Sequence, residues 1–366
     1  LLVLFSTSAI AQQTMVNTTV QHRLQIASEL FYKQKYATAQ KAFDEICALY
    51  TQNTEEHAEA MYYAAVCALE LFNADAENRM IAFINLYPGS KRIKMAYFSL
   101  GNLEYRAKSF KEALNWYEKL SERDFHNRDH RSEYQFKKGY CYFLRNEYDK
   151  AKVLFSDIKD IENNYAAPAT YYFSHIAYSQ GNLETALNGF QKFKPGSPFY
   201  HTVPYYIAHI YYMQKKFPEL IEFAAPWLDS ANVKRAPELA HLIGDAYFRM
   251  GKYTEALPYL NKFFDKGAKP EREDYYQLAY CFYQTKSYPK AIENYKKVIG
   301  KSDSLNQLAY YQLAYSYLKI SEKQLARNSY EAAASENFYP DIAEDALFSY
   351  AKLSYELAYN PYHRRL

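Results

Sequence analysis

Residues 100–120 read LGNLEYRAKSFKEALNWYEKL, and the chain says nearly the same thing twice more: KGYCYFLRNEYDKAKVLFSDI at 138–158 and IGDAYFRMGKYTEALPYLNKF at 243–263. Each copy has a small residue early, aromatic residues in the middle, an alanine after a bend and a large apolar residue four positions beyond it. A motif that returns at fixed spacing marks a repeat architecture, in which each unit packs only on its neighbours.

Taking as anchor the residue that opens each second helix gives Tyr36, Asn73, Phe110, Tyr148, Leu183, Phe217, Tyr253, Tyr288 and Lys323, spaced by 37, 37, 38, 35, 34, 36, 35 and 35 residues. Three residues on stand Ala39, Ala76, Ala113, Ala151, Ala186, Leu220, Ala256, Ala291 and Ala326. Nine residues back stand Ala27, Ala64, Gly101, Gly139, Ser174, Ala208, Gly244, Ala279 and Ala314, every one small. Two antiparallel helices approach closely only where one side chain is nearly absent, so small positions mark a crossing. Bulky residues fill the space beside it, seven positions past the anchor: Phe43, Met80, Tyr117, Phe155, Phe190, Leu260, Tyr295 and Tyr330, with Ala224 the exception. Positions +3, +7 and +10 share one helix face. Pro88 and Pro198 fall fifteen residues past their anchors, where a helix must stop.

This register resembles the tetratricopeptide repeat family, a helix–turn–helix unit of about 34 residues with small and aromatic residues at these relative positions. The resemblance covers residues 20–341 as nine tandem repeats, with 342–366 as part of a tenth, on a chain that reads as truncated. It implies an all-α, right-handed α-solenoid. Leu220 with Ala224 departs from the pattern as an exchanged large–small pair, and Asn73 and Lys323 are poor anchors. Within the family, Leu86-Tyr87-Pro88-Gly89-Ser90 followed by Ala96-Tyr97 is similar to repeats of exported bacterial cell-envelope proteins, distantly BamD-like.

Composition agrees with helices. Glycine (10) and proline (13) are few in 366 residues, while tyrosine (41) and phenylalanine (23) are many. Rings with a polar tip suit half-buried seams and binding grooves alike. Lysine and arginine total 44 against 41 acidic residues, with no basic block or stripe, so nothing points to nucleic acid or to a membrane surface.

The opening LLVLFSTSAIA (1–11) reads as the remnant of a secretory signal peptide, with Ala9-Ile10-Ala11 as its small-residue cleavage site and 12–19 as a lead-in. At 11 residues the run is too short to span a bilayer. No cysteine follows the site to carry a lipid. Export to the periplasm or envelope of a Gram-negative-type bacterium is the expectation. Cys47, Cys67, Cys141 and Cys281 do not fall into disulfide or zinc spacings, and read as four buried thiols.

Catalytic motifs are missing: there is no phosphate-binding glycine loop, no HExxH, no GxSxG and no EF-hand loop. The chain is read as non-enzymatic, without cofactor or metal and without a transmembrane segment. His126 and His130 in FHNRDH have helical metal-ligand spacing, but a charged loop is the plainer account.

Three registers of the first helices are candidates for a partner-binding groove, because the family's geometry turns them to the concave side. Twelve residues before the anchors stand Phe98, Phe136, Tyr171, Tyr205, Tyr276 and Tyr311, with His241 in the seventh repeat. Eight before stand Asn102, Tyr140, His175, His209, Asp245 and Tyr280. Five before stand Tyr105, Phe143, Tyr178, Tyr212, Phe248 and Tyr283. These rings serve equally as a ladder facing the groove or as core between adjacent first helices. The two-lysine clamp with which some relatives hold C-terminal carboxylates is absent; Asn102 matches one of its positions, and aromatics replace the lysines. The expected function is a protein-interaction scaffold of the cell envelope that binds a partner polypeptide, with envelope or outer-membrane proteins among the partners. A carbohydrate module using the tyrosines and an outer-membrane assembly factor are the alternatives.

Overall fold

The computed structural model describes residues 19–49, 54–229, 234–265 and 269–358. It is 77% helical, with no strand among the described residues, an α-solenoid of helical repeats. Helices alternate between the first and second members of hairpins. First members are α1 (residues 19–32), α3 (Glu55–Glu70), α5 (Ile93–Arg106), α7 (Arg128–Leu144), α9 (Ala166–Ser179), α11 (Val203–Met213), α13 (Ala236–Arg249), α15 (Arg272–Gln284), α17 (Ser304–Lys319) and α19 (Pro340–Ala358). Second members are α2 (Tyr36–Leu49), α4 (Ala76–Leu86), α6 (Phe110–Tyr117), α8 (Tyr148–Ile158), α10 (Leu183–Phe190), α12 (Phe217–Ala224), α14 (Tyr253–Asp265), α16 (Tyr288–Val298) and α18 (Lys323–Ala334).

The chain divides into two compact units, Leu1–Gln180 and Gly181–Leu366. Nine equivalent repeats gave no hint of that division, which falls in the turn between α9 and α10. The boundary drawn at 341/342 lies inside α19. Residues 1–11, read as a signal-peptide remnant, and all but the last residue of the 12–19 lead-in lie outside the described residues.

The turn after each first helix from α1 to α17 holds a residue in the left-handed conformation, two positions past the helix end: Gln34, Phe72, Lys108, Asn146, Gly181, Lys215, Gly251, Lys286 and Ser321, with φ between 57° and 75°. In most of these turns the next amide reaches back to a carbonyl five residues earlier, as from Ser109 to Glu104 and from Lys252 to Tyr247, both 2.9 Å. That bond satisfies a carbonyl the helix end would leave unpaired. Seven of the nine left-handed residues are not glycine, so these turns carry almost no glycine signal. Eight anchors do open a helix. Asn73 does not: the second repeat turns at Phe72, Asn73 makes the reach-back bond to Ala68, and α4 starts three residues later at Ala76.

The crossing is as tight as the small residues suggest. A Cβ added at Gly101 would lie 2.5 Å from Cε1 of Tyr117, one at Gly139 2.8 Å from Cε1 of Phe155, and one at Gly244 2.7 Å from Cδ2 of Leu260. Those three partners are fully buried, and each stands seven residues past its own anchor. In the sixth repeat Leu220 and Ala224 are both fully buried, so the exchanged pair fills its crossing in reverse.

All four cysteines are free thiols, with Cys67, Cys141 and Cys281 buried and Cys47 half-buried. Burial pushes the first three up to about 12 and Cys47 to about 11, which keeps them protonated packing groups.

Gly101→Ala should therefore destabilise unit 1 by about 1–3 kcal/mol through overpacking against Tyr117. Gly251→Ala has open space around it but φ of 72°, and should cost only about 1–2 kcal/mol through backbone conformation. Urea unfolding reports both. A neutral Gly101→Ala, with Tyr117 still buried, would contradict the close-approach account.

Candidate functional site

In unit 1 a groove of about 520 Å³ is lined by side chains of α1, α3, α5 and α7 and by Arg92 just before α5. Its apolar wall includes Phe31, Tyr62, Tyr63 and Phe98, and its polar side includes Ser99, Asn102, Arg106, His130, Glu133 and Lys137. Arg92 donates from Nη2 to Glu59 at 2.7 Å while its guanidinium sits 5.7 and 5.1 Å from the ring centres of Tyr62 and Tyr63. Asn102 is the hub. Its Oδ1 accepts from the Tyr117 hydroxyl at 2.8 Å and from Lys137 Nζ at 3.0 Å, and its Nδ2 donates to Glu133 at 3.1 Å. Lys137 also donates to Glu133 at 2.5 Å. The carboxylate clamp read as lacking its lysines thus has one cation beside Asn102, supplied by the next repeat, but Glu133 already answers that charge.

None of the nineteen candidate residues is exposed; Phe98, Phe136, Tyr171 and Asp245 are buried and the others half-buried. Of these, Phe98 and Asn102 line the unit 1 groove. The rings pack chiefly between successive first helices. Tyr105 meets Tyr140 with centroids 5.9 Å apart, Tyr140 and Phe143 each lie 5.0 Å from Tyr172, and Phe136 stacks on Tyr165 at 5.2 Å. His175 packs between Phe143 at 5.6 Å, Tyr171 at 6.2 Å and Tyr178 at 6.3 Å.

Unit 2 repeats the theme with more charge. Arg235 lies over Tyr205, 3.6 Å from its centroid, and His209 stands between Tyr205 and Tyr212 at 5.8 and 6.2 Å. The buried Asp245 carboxylate accepts from the Tyr212 hydroxyl, from Arg249 Nε at 2.7 Å and from Gln277 Nε2 at 2.5 Å. A buried charge needs such a set of donors to be tolerated. His241 contacts Asp274 at 2.7 Å and packs on Phe263 at 4.6 Å. Burial pushes the Asp274 carboxyl up, but the hydrogen bonds from His241 and the Glu271 amide outweigh it and hold it below the ordinary value. Phe248 meets Tyr280 at 5.7 Å, and Tyr280 meets Tyr276 at 6.1 Å and Tyr283 at 5.9 Å. The Tyr311 hydroxyl donates to Asp345 at 2.6 Å.

Among the described residues no three histidine, cysteine, aspartate or glutamate side chains gather as a metal would need, and no helix is long and apolar enough to cross a membrane. FHNRDH is not all loop. Asn127 caps α7 by accepting from the amides of Asp129 and His130 at 2.7 and 3.1 Å, so His130 stands in the first turn, against Phe98, while His126 precedes the helix.

The registers singled out in the sequence miss Arg92, Tyr62, Tyr63, Glu133, Lys137, Arg249 and Gln277. Glu133 and Lys137 carried one legible signal, an i,i+4 acid–base pair on a first helix. Lys137 stands eleven residues before its anchor and Asn102 eight before its own, so a comparison within single registers does not join them.

The tetratricopeptide repeat family model matches residues 24–83 and 241–305. Among solved structures, the C-terminal part of a TPR repeat-containing protein from Cytophaga hutchinsonii is 18% identical, covers 68% of this chain and 99% of its own, and has a TM-score of 0.51. A tetratricopeptide repeat protein from Parabacteroides merdae is 18% identical over 71% of this chain and 98% of its own, with a TM-score of 0.42. No curated protein matches the chain. At these identities the first likeness is one of fold.

Burial holds His175 below its ordinary value of 6.5, and His209 is lowered by burial and then by the Arg235 charge. Both rings fold neutral more readily than they fold charged. Their contribution is complete above 6.5 and is lost as pH falls toward the lowered folded values. The urea midpoint should therefore drop between pH 7 and 5.5, with a shallower slope in a His175→Gln/His209→Gln variant. An unchanged slope in that variant would exclude these rings as its cause.

Proposed function

We propose that this chain, which carries tetratricopeptide repeats at residues 24–83 and 241–305, is a non-enzymatic scaffold that holds an extended segment of a partner polypeptide. Tetratricopeptide repeat proteins bind protein or peptide partners, and no catalytic family is indicated. The observation that carries the reading is the groove of unit 1, where Tyr62, Tyr63 and Phe98 form an apolar wall beside the polar groups of Ser99, Asn102, Glu133 and Lys137. Side chains of a bound segment would pack on the rings while its backbone bonds the polar groups, and affinity would concentrate in few contacts. Because the groove's charges are largely paired internally, shape and hydrogen bonding would contribute more than net charge.

We place the scaffold in the bacterial cell envelope. The support is LLVLFSTSAIA at 1–11, outside the described residues, and the partners would be other envelope or outer-membrane proteins.

A photo-crosslinking side chain at Ser99, which lines the groove, should capture a polypeptide from envelope extracts. The same side chain at Lys111, exposed on α6, should capture little. Capture at Lys111 but not at Ser99 would move the binding surface away from the groove.

A further inference from the structure

We propose that unit 2 carries a second polypeptide site, beside the turn that follows α11 and the end of α13, and that it takes an acidic residue flanked by an apolar one. This rests on the scaffold reading above but concerns different residues. A pocket of about 500 Å³ is lined by Tyr212, Met213, Lys215, Phe217 and Arg249. Its wall is apolar: the rings of Tyr212 and Phe217 pack at 5.9 Å, and Met213 is 48% exposed, a large thioether left open to solvent.

Its charge is one-sided. Arg249 uses Nε alone, 2.7 Å from Asp245 Oδ2 and 3.0 Å from the Tyr212 hydroxyl. Asp245 in turn is fixed by Tyr212 and Gln277, so the guanidinium is gripped along its inner edge. Among the described residues neither Nη nitrogen of Arg249 has a protein partner, and the side chain is 51% exposed. Lys215 is exposed; its amide donates to the Tyr212 carbonyl at 2.9 Å, and among the described residues its side chain makes no ion pair or hydrogen bond. Of the five lining residues two are cations and none is acidic, and Asp245, beneath the pocket's lining, pairs with Arg249 alone of the two. In the unit 1 groove, by contrast, Lys137 and Arg92 are answered by Glu133 and Glu59.

A held guanidinium with its outer nitrogens open is suited to two parallel hydrogen bonds from a carboxylate, at less ordering cost than a free arginine. Lys215 adds attraction, and the Met213–Phe217 surface takes the neighbouring apolar side chain. Two cations against an apolar wall suit one carboxylate better than the run of phosphates of a nucleic acid, which needs a longer basic track.

The full chain, probed on an array of random twelve-residue peptides, should retain peptides enriched in aspartate or glutamate next to leucine, methionine or an aromatic residue. Changing that acid to its amide in the best peptide should weaken binding about tenfold, the scale of a charge-assisted hydrogen bond. Lys215→Gln, at an exposed position away from the core, should weaken it several-fold, and Arg249→Gln, checked for native helicity, should remove the acidic preference. Retained peptides without acidic enrichment and indifferent to Lys215→Gln would overturn this site while leaving the scaffold reading in place. No retained peptide at all would overturn both.

Discussion

The structure depends on how closely two helices approach inside each hairpin. Where Gly101 faces Tyr117, there is no room for even a methyl group. That closeness buries a whole ring against backbone, and interiors packed at crystal density lose contacts quickly when the gap opens. Everything else follows from keeping the crossing. The buried alanines three residues past the anchors keep the second helix's own face small, and the left-handed turns bring that helix back at the needed distance.

Between hairpins the chain uses a different bond. Successive first helices are joined by rings, as Tyr105 to Tyr140 and both Tyr140 and Phe143 to Tyr172, packed edge-on or tilted rather than face to face. This explains the surplus of tyrosine. A phenol can be mostly buried and still place its hydroxyl on a polar partner, as Tyr117 does on Asn102 and Tyr311 on Asp345. The two surfaces considered for binding lie where this ring packing gives way to charged side chains.

Much of the fold was legible because its signals are strictly periodic. Eight of nine anchors open a helix, and the small-to-large contact at Gly101, Gly139 and Gly244 lies at the positions read. Asn73 failed for a local reason: two further turn residues, Ala74 and Asp75, follow the left-handed Phe72 turn and delay the helix start without disturbing the burial of Ala76 or Met80. Candidate sites were far less legible. Ring positions in the sequence do not say which face a ring shows, and the structure leaves none of the candidates exposed. The polar partners that shape the surfaces, Lys137 with Asn102 and Gln277 with Asp245, come from neighbouring repeats in unlike registers.

The sixth hairpin shows what such a crossing permits over time. Leu220 and Ala224 keep the combined volume of the usual small–large pair while exchanging its order, and both stay fully buried. Selection on a helix crossing thus acts on a sum shared by two positions rather than on either residue. A lineage of these repeats can drift through compensating exchanges with its backbone preserved. Its sequence identity then decays faster than its shape, and recognising a distant member requires reading pairs of positions together.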